Sequence, residues 1–218
     1  MAIKTKRPML VETVGALYYD FNIPTDLGEF DPQSYEEEVV KSNVVKTIST
    51  TENGESTVVR ASGEDYETVN QKESIDISVE VIAIDPSDLA KMRGDVVGKT
   101  GLNRSGRTAS RPFFAFGKVK KMLGNGAEYA WYPKCQLIEN TDDISTKEEN
   151  YSEQNSTVTI RAYAFNADGD KRVYVNSEME NYPEGLTEEK FFSKPILTDE
   201  DLAAAVAPKE DTEEVQGA

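Results

Sequence analysis

Alternation of apolar and polar positions is clearest from Ser74 to Ile84, where Ile75, Ile77, Val79 and Val81 interleave with Asp76, Ser78 and Glu80. A period of two predicts a strand with one face on a core and one polar, acidic face. Ser156 to Phe165 repeats the pattern, with Val158, Ile160, Ala162 and Ala164 in one row and Thr157, Thr159, Arg161 and Tyr163 in the other. Asp168-Gly169 then marks a turn, and Arg172 to Val175 reads as the returning strand of a hairpin. Lys41 to Thr51 and Glu55 to Ala61 are β-branched runs about Asn53-Gly54, which predicts a second hairpin. Its strands are too polar for the centre of a monomer's core, so this hairpin is expected to project or to meet another subunit, the ordinary alternative being exposed edge strands. Gly15 to Phe21 reads as the first strand, ended by Pro24.

The most apolar stretch is Pro112 to Ile138. Phe113, Phe114 and Phe116 lead through Lys118, Lys120 and Lys121 to Asn125-Gly126 and then to Glu128–Ile138, which holds the one tryptophan, Trp131. This predicts a hairpin at the centre of the core, with Phe113, Phe114, Phe116, Tyr129 and Trp131 inside it and Tyr129, Trp131, Cys135 and Leu137 on one side of their strand. One helix is expected within the domain, from Asp85 to Arg93. Asp85 serves as cap, Pro86 as first residue, Asp88 complements the positive end and Gly94 stops it. Shorter helices are expected at Thr187–Phe192 and Thr198–Val206, the second with Thr198 and Asp201 as a capping box.

The fold class that follows is mainly β, two packed antiparallel sheets in a sandwich or barrel-like arrangement, with a flanking helix and long loops. Residues 1–14 read as an arm, 15–197 as one β domain and 198–218 as an acidic, flexible extension, an expected single-domain division for 218 residues.

Charge changes the picture in its distribution. The net is −16, which argues against a surface that grips nucleic acid through phosphate neutralisation. Lys91 to Lys121 holds nine bases and one acid, whereas Asp26 to Glu38 holds six acids and no base. Such segregation suits copies pairing acidic patch to basic patch, against the plainer reading of solvated loops. Glu29, Asp31, Asn53, Gly54, Arg104, Arg107 and Arg111 are the candidate contact residues in the long loops. Cys135 is alone and on an apolar parity, so a buried reduced thiol is expected. The basic start lacks the apolar run of a signal peptide and no stretch reaches membrane-spanning length, so synthesis in the cytoplasm is expected.

Candidate chemistry is thin. The absence of histidine removes serine–histidine and cysteine–histidine nucleophile systems. Gly94 to Thr100 has three residues between its glycines where a phosphate loop needs four, and a helix before it instead of after. Asn166 to Asp170 imitates a calcium loop with its glycine two places early. No enzyme, cofactor or metal is expected.

Phe113-Phe114-Ala115-Phe116-Gly117-Lys118, a glycine-containing turn and Tyr129-Ala130-Trp131-Tyr132-Pro133-Lys134, followed by a polar segment and further strands, resemble the major tail proteins of long-tailed, siphovirus-type bacteriophages. The resemblance is specific mainly at those two strands and covers roughly residues 10–196 as an order of segments. It implies two packed sheets with a flanking helix, the tube fold shared with type VI secretion tubes. It further implies six copies in a ring whose inner strands form a continuous barrel, and rings stacked head to tail to conduct viral DNA. The implied partners are further copies, tape-measure, tail-terminator and distal tail proteins, and DNA passing without specific binding; the implied place is the virion tail, with no membrane. Asp76 and Glu80 are then the candidate lumen-facing acids. Some members carry an added immunoglobulin-like domain, for which the residues after the last apolar segment are too few. The alternatives are a tail-terminator or baseplate protein of the same fold, or a monomeric β-sandwich binding carbohydrate or protein, with Trp131, Tyr129 or Tyr132 as stacking platform.

Overall fold

The computed structural model describes residues 5–61, 63–106, 111–146 and 154–207, with backbone alone for 55–57, 61 and 68–73. The chain is mainly β and antiparallel throughout, as its alternation predicts. One eight-stranded sheet runs in the order β2 (Val40–Ser42), β1 (Val11–Phe21), β7 (Phe114–Met122), β8 (Gly126–Asp142), β9 (Ser156–Ala162), β4 (Glu64–Val81), β3 (Val45–Ala61). The remaining strand, β10 (Val173–Asn176), pairs with β8 beside β9. A separate two-stranded sheet joins β5 (Val96–Val97) to β6 (Asn103–Arg104).

The two expected layers are halves of one continuous sheet, which does not close. Leu17, Tyr19 and Phe21 of β1 and Phe114 and Phe116 of β7 share a single buried cluster with Ile75, Ile77, Val79 and Val81 of β4 and with Val158 and Ile160 of β9. Strongly twisted sheets of this width curl to bury a face. The Lys118 ammonium donates to Thr50 Oγ1 at 2.6 Å, tying β7 to β3 across the mouth of the curl. Helix α1 (Pro86–Arg93) plugs one end with Met92. Its start and stop are as the sequence predicts: the Asp85 carboxylate accepts from the Ser87 and Asp88 amides, Pro86 opens it and Gly94 leaves it at φ 73°.

A second cluster lies on the other side of β1, β7 and β8. Ala16, Tyr18, Ala115, Val119, Tyr129 and Trp131 are covered there by Leu186, Phe191, Phe192 and Ile196 of the C-terminal segment. That segment contains α2 (Glu188–Phe191), capped by Thr187, and α3 (Asp199–Val206), whose Thr198–Asp201 capping box forms as read. Leu202, Ala205 and Val206 of α3 pack on this cluster; residues 208–218 of the expected extension lie outside the described residues. Gly117 makes the close fit possible, because a Cβ there would stand 2.6 Å from the Phe192 ring.

Four expectations are corrected. Asn53-Gly54 is not a turn: β3 passes straight through it, with a register shift between Asn53↔Ser74 and Gly54↔Lys72. The chain reverses near Gly63, at φ 82°, so β3 and β4 form one hairpin with arms of 17 and 18 residues. The extra residue at this shift is Glu73 on β4, opposite Asn53-Gly54, and the long run of pairing on either side keeps β3 extended through the Asn-Gly pair. The central hairpin does form, but its loop is Leu123 to Asn125, with Gly124 and Asn125 at positive φ and Gly126 already paired to Met122.

The single parity expected for Tyr129, Trp131, Cys135 and Leu137 also breaks. Phe116 pairs with Tyr132 and Phe114 with Cys135, so β8 carries one extra residue at Pro133–Lys134. Proline, lacking a donor, sits naturally at a bulge. The bulge sends Tyr129 and Trp131 into the second cluster and Cys135 and Leu137 into the first. Lastly, β9 and β10 are not a hairpin. The Asn166–Asp170 turn forms, closed by the Asn166 amide on the Asp170 carboxylate at 2.8 Å, yet β10 continues along β8 opposite Glu128 to Trp131.

Candidate assembly surfaces

The half-sheet β8–β9–β4–β3 turns its apolar side to the core and presents the other outward in three cross-strand rows. Register places Thr51, Asp76, Arg161 and Gln136 in the first row. Ser49, Ser78, Thr159 and Glu139 form the second, and Thr47, Glu80, Thr157 and Thr141 the third. A second bulge, at Ile138, keeps Glu139 and Thr141 on this side. The result is a broad hydroxyl-rich face with no exposed apolar side chain in those rows.

Asp76 and Glu80 both lie on it, and both are held in place. Arg161 grips Asp76 in bidentate fashion, Nε to Oδ1 at 2.6 Å and Nη2 to Oδ2 at 3.0 Å, and the Asn53 amide donates to Oδ2 at 2.7 Å. The Arg161 hydrogen bonds keep the Asp76 carboxyl below its usual range against the opposing effect of desolvation. Glu80 accepts from Asn155 at 2.9 Å and from the Thr47 hydroxyl at 3.3 Å. In the three rows three carboxylates face one guanidinium, so the face keeps an acidic excess. Arg161 and Glu139 complete it although only the alternation of Ser156–Phe165 hinted at the first; nothing in the sequence flagged the second.

Among the described residues the half-sheet also has open edges. Strand β3 ends the sheet on one side. On the other, β7 pairs with β8 only as far as Cys135, and among the described residues no strand takes that edge from Gln136 to Asp142. Arg111 caps part of it, its Nη1 donating to the Leu137 carbonyl and to the Ile138 carbonyl at 2.7 Å.

The loop residues separate into anchored and free ones. Asp31 is internal to its loop, its carboxylate accepting from the Gln33 amide at 3.0 Å and its carbonyl from Asn22 at 2.6 Å. Glu29 is exposed, its amide bonded to the Thr25 hydroxyl at 3.2 Å. Asn53 and Gly54 are at the bulge, Arg111 is an anchor, and Arg104 is exposed on β6. Arg107 lies outside the described residues. Of the core hairpin, Phe114, Phe116, Tyr129 and Trp131 are buried, while Phe113 is half-exposed and meets the edges of the Phe30 and Tyr163 rings.

The aromatic platform fails. Trp131 and Tyr132 are 0% exposed and Tyr129 is buried, and the indole donates to the Phe191 carbonyl at 3.1 Å. No sugar face reaches these rings. Cys135 is a free buried thiol whose pKa burial pushes well up. Among the described residues no helix is long and apolar enough to cross a membrane.

Sequence reasoning missed Asp20. It sits in β1 between Tyr19 and Phe21, 1% exposed, with neither carboxylate oxygen in a hydrogen bond. Burial and the neighbouring Glu36 raise it to about 7, offset only in part by the Phe21 and Glu36 amides and by Lys91.

The chain matches no protein-family model and no curated protein. Among solved structures it is similar to a chain of the cryo-EM structure of the anti-feeding prophage baseplate, six-fold symmetrised. The two are 11% identical with a TM-score of 0.45, over 80% of this chain and 100% of that one. A similarity at that TM-score carries no argument about this chain.

Proposed function

We propose that this chain is a structural subunit of a bacteriophage tail tube, in which six copies form a ring and rings stack into a conduit for DNA. The observation that carries the reading is the half-sheet with one polar face, one core face and an open edge on each side. Such a unit is completed by its own copies, β3 of one beside β8 of the next, which removes both edges. The sequence resemblance to siphovirus major tail proteins supports the same assembly.

Four strands from each of six copies give a barrel of about 24 strands, and at ~4.8 Å per strand its backbone is roughly 37 Å across before tilt widens it. That bore admits a DNA duplex. Its lining would be the Ser/Thr rows with their acidic excess, which offer phosphates no cationic partner beyond the already paired Arg161. DNA passes without sticking. The role has no catalytic step; its partners are other copies, a tape-measure protein inside, and terminator and distal tail proteins at the ends.

Negative-stain electron microscopy with sedimentation over a concentration series tests this. The expected species are sixfold rings or hollow tubes. A tail-terminator or baseplate ring of this fold would stop at single rings, and tubes of indefinite length favour the tube subunit over it. A uniform monomer at every concentration, unchanged by tail-initiation proteins, contradicts the proposal.

A further inference from the structure

Two exposed patches remain outside the polar face, and they are opposites. At the tip of the β3–β4 hairpin Tyr66, the extra residue of a bulge, is 76% exposed, and Val58 and Val59, opposite Thr68 and Glu67, are half-exposed on the two faces of the ribbon. Glu64 and Glu67 flank them without an ion-pair partner among the described residues, while Arg60 and Asp65 pair with each other at 2.8 Å. On the β5–β6 hairpin Val97 and Leu102 are 65% and 61% exposed, next to Val96. Lys99 and Arg104 are exposed there and likewise unpaired among the described residues. Each hairpin thus carries exposed apolar side chains together with unpaired charge of one sign, acidic at the first and basic at the second.

The two cannot meet within one chain. The β5–β6 loop is pinned at both ends to the core half of the sheet: Asp95 N donates to Ala90 O of α1 at 2.9 Å, and Arg111 binds the carbonyls of Leu137 and Ile138. Leu137 stands in register with Ile160 and Ile77. From Ile77 to Tyr66 is a contour of roughly 36 Å at ~3.3 Å per residue. Fully extended from Gly94, the loop tip at Gly101 reaches only about 25 Å.

We infer that the acidic tip of the β3–β4 hairpin in one copy docks on the basic β5–β6 hairpin of another, and that this contact joins stacked rings. The inference rests on the tube reading above. Two unlike patches at opposite ends of one sheet make a heterologous contact that repeats without closing, which is what stacking requires. Burying Tyr66 and Leu102 supplies the apolar part, and the charges fix polarity, since tip against tip or loop against loop places like charges together.

The test uses charge reversal in the full chain: Glu64→Lys with Glu67→Lys, Lys99→Glu with Arg104→Glu, and all four combined. All four side chains are exposed, and unchanged Trp131 emission verifies folding. Each pair alone should leave rings intact and raise the concentration for stacking by about tenfold or more. The fourfold variant, and an equimolar mixture of the two pair variants, should stack again. Normal stacking by either pair variant, or failure of both rescues, overturns the docking while leaving rings and the tube reading in place. A wild-type chain that never forms rings overturns both.

Discussion

Phe192→Ala is expected to cost about 3–5 kcal/mol, the usual range for emptying a fully packed aromatic site. Phe192 is 3% exposed and is the hub of the second cluster. It stacks on Tyr18 with centroids 3.9 Å apart and planes within 1°, and it lies 5.2 Å from Trp131, 5.8 Å from Tyr129 and 5.0 Å from Phe191. The bare backbone of Gly117 beneath it cannot fill the space it leaves. Because Phe192 holds the C-terminal segment over Trp131, loss of the ring also wets the indole. Urea unfolding followed by Trp131 emission should show a lowered midpoint and a red-shifted native spectrum. A loss below about 1 kcal/mol with an unshifted spectrum would contradict the packing described.

Asp20→Asn is expected to stabilise the protein at pH 8 by on the order of 3 kcal/mol and to do little at pH 4. The carboxyl titrates near 3.8 when unfolded and near 7 when folded, so the folded chain holds the proton more tightly. The stability from that proton is complete below the unfolded value and is lost as pH rises through about 7. Above it an ionised carboxylate stays buried beside Glu36, with no side-chain hydrogen bond and with only the Phe21 and Glu36 amides and Lys91 to offset that burial. Lys91, which pairs with Glu36 and lies 4.0 Å from the Phe21 ring centroid, is the smallest of the influences on Asp20. Urea midpoints from pH 4 to 8 should fall for wild type and stay flatter for the variant. Parallel curves would show that Asp20 is solvated or paired after all.

The sequence made the β-rich class legible because the strands facing water on one side alternate cleanly. Ile75–Val81 and Ser156–Ala162 read as strands because β4 and β9 each have one wet face there, although β4 begins ten residues before Ser74, at Glu64, and the two strands stop short of Ile84 and Phe165. Strand β1 is legible only from Gly15 to Phe21, where clusters cover both sides; it starts at Val11, and Val11–Val14, exposed or half-exposed and without apolar alternation, read as part of the arm. Local turn chemistry misled at Asn53-Gly54, where 17 residues of pairing outweighed a two-residue signal. The Pro133 bulge was invisible for a related reason: a parity argument holds only while the register is unbroken, and one extra residue turns Cys135 and Leu137 to the opposite side from Trp131.

Of the candidate surfaces, Asp76 and Glu80 were found from alternation alone, because a charged row opposite an apolar row can only face outward. Arg161 as the partner of Asp76 required the β4–β9 register, which no local pattern encodes. Asp20 was hidden because a lone acid inside an aromatic strand reads as its exposed position. The hairpin tip emerged only once the turn moved from Asn53-Gly54 to Gly63.

The measurement that bears most directly on the central claim is a cryo-EM reconstruction of the wild-type assembly, read for what lines the bore. A sixfold ring is expected, with β3 of each copy beside β8 of the next and with Asp76, Ser78, Glu80 and Thr159 facing the lumen. A bore lined instead by α1 or by the C-terminal helices, or an assembly in which the edges of β3 and β8 stay unpaired, would contradict it.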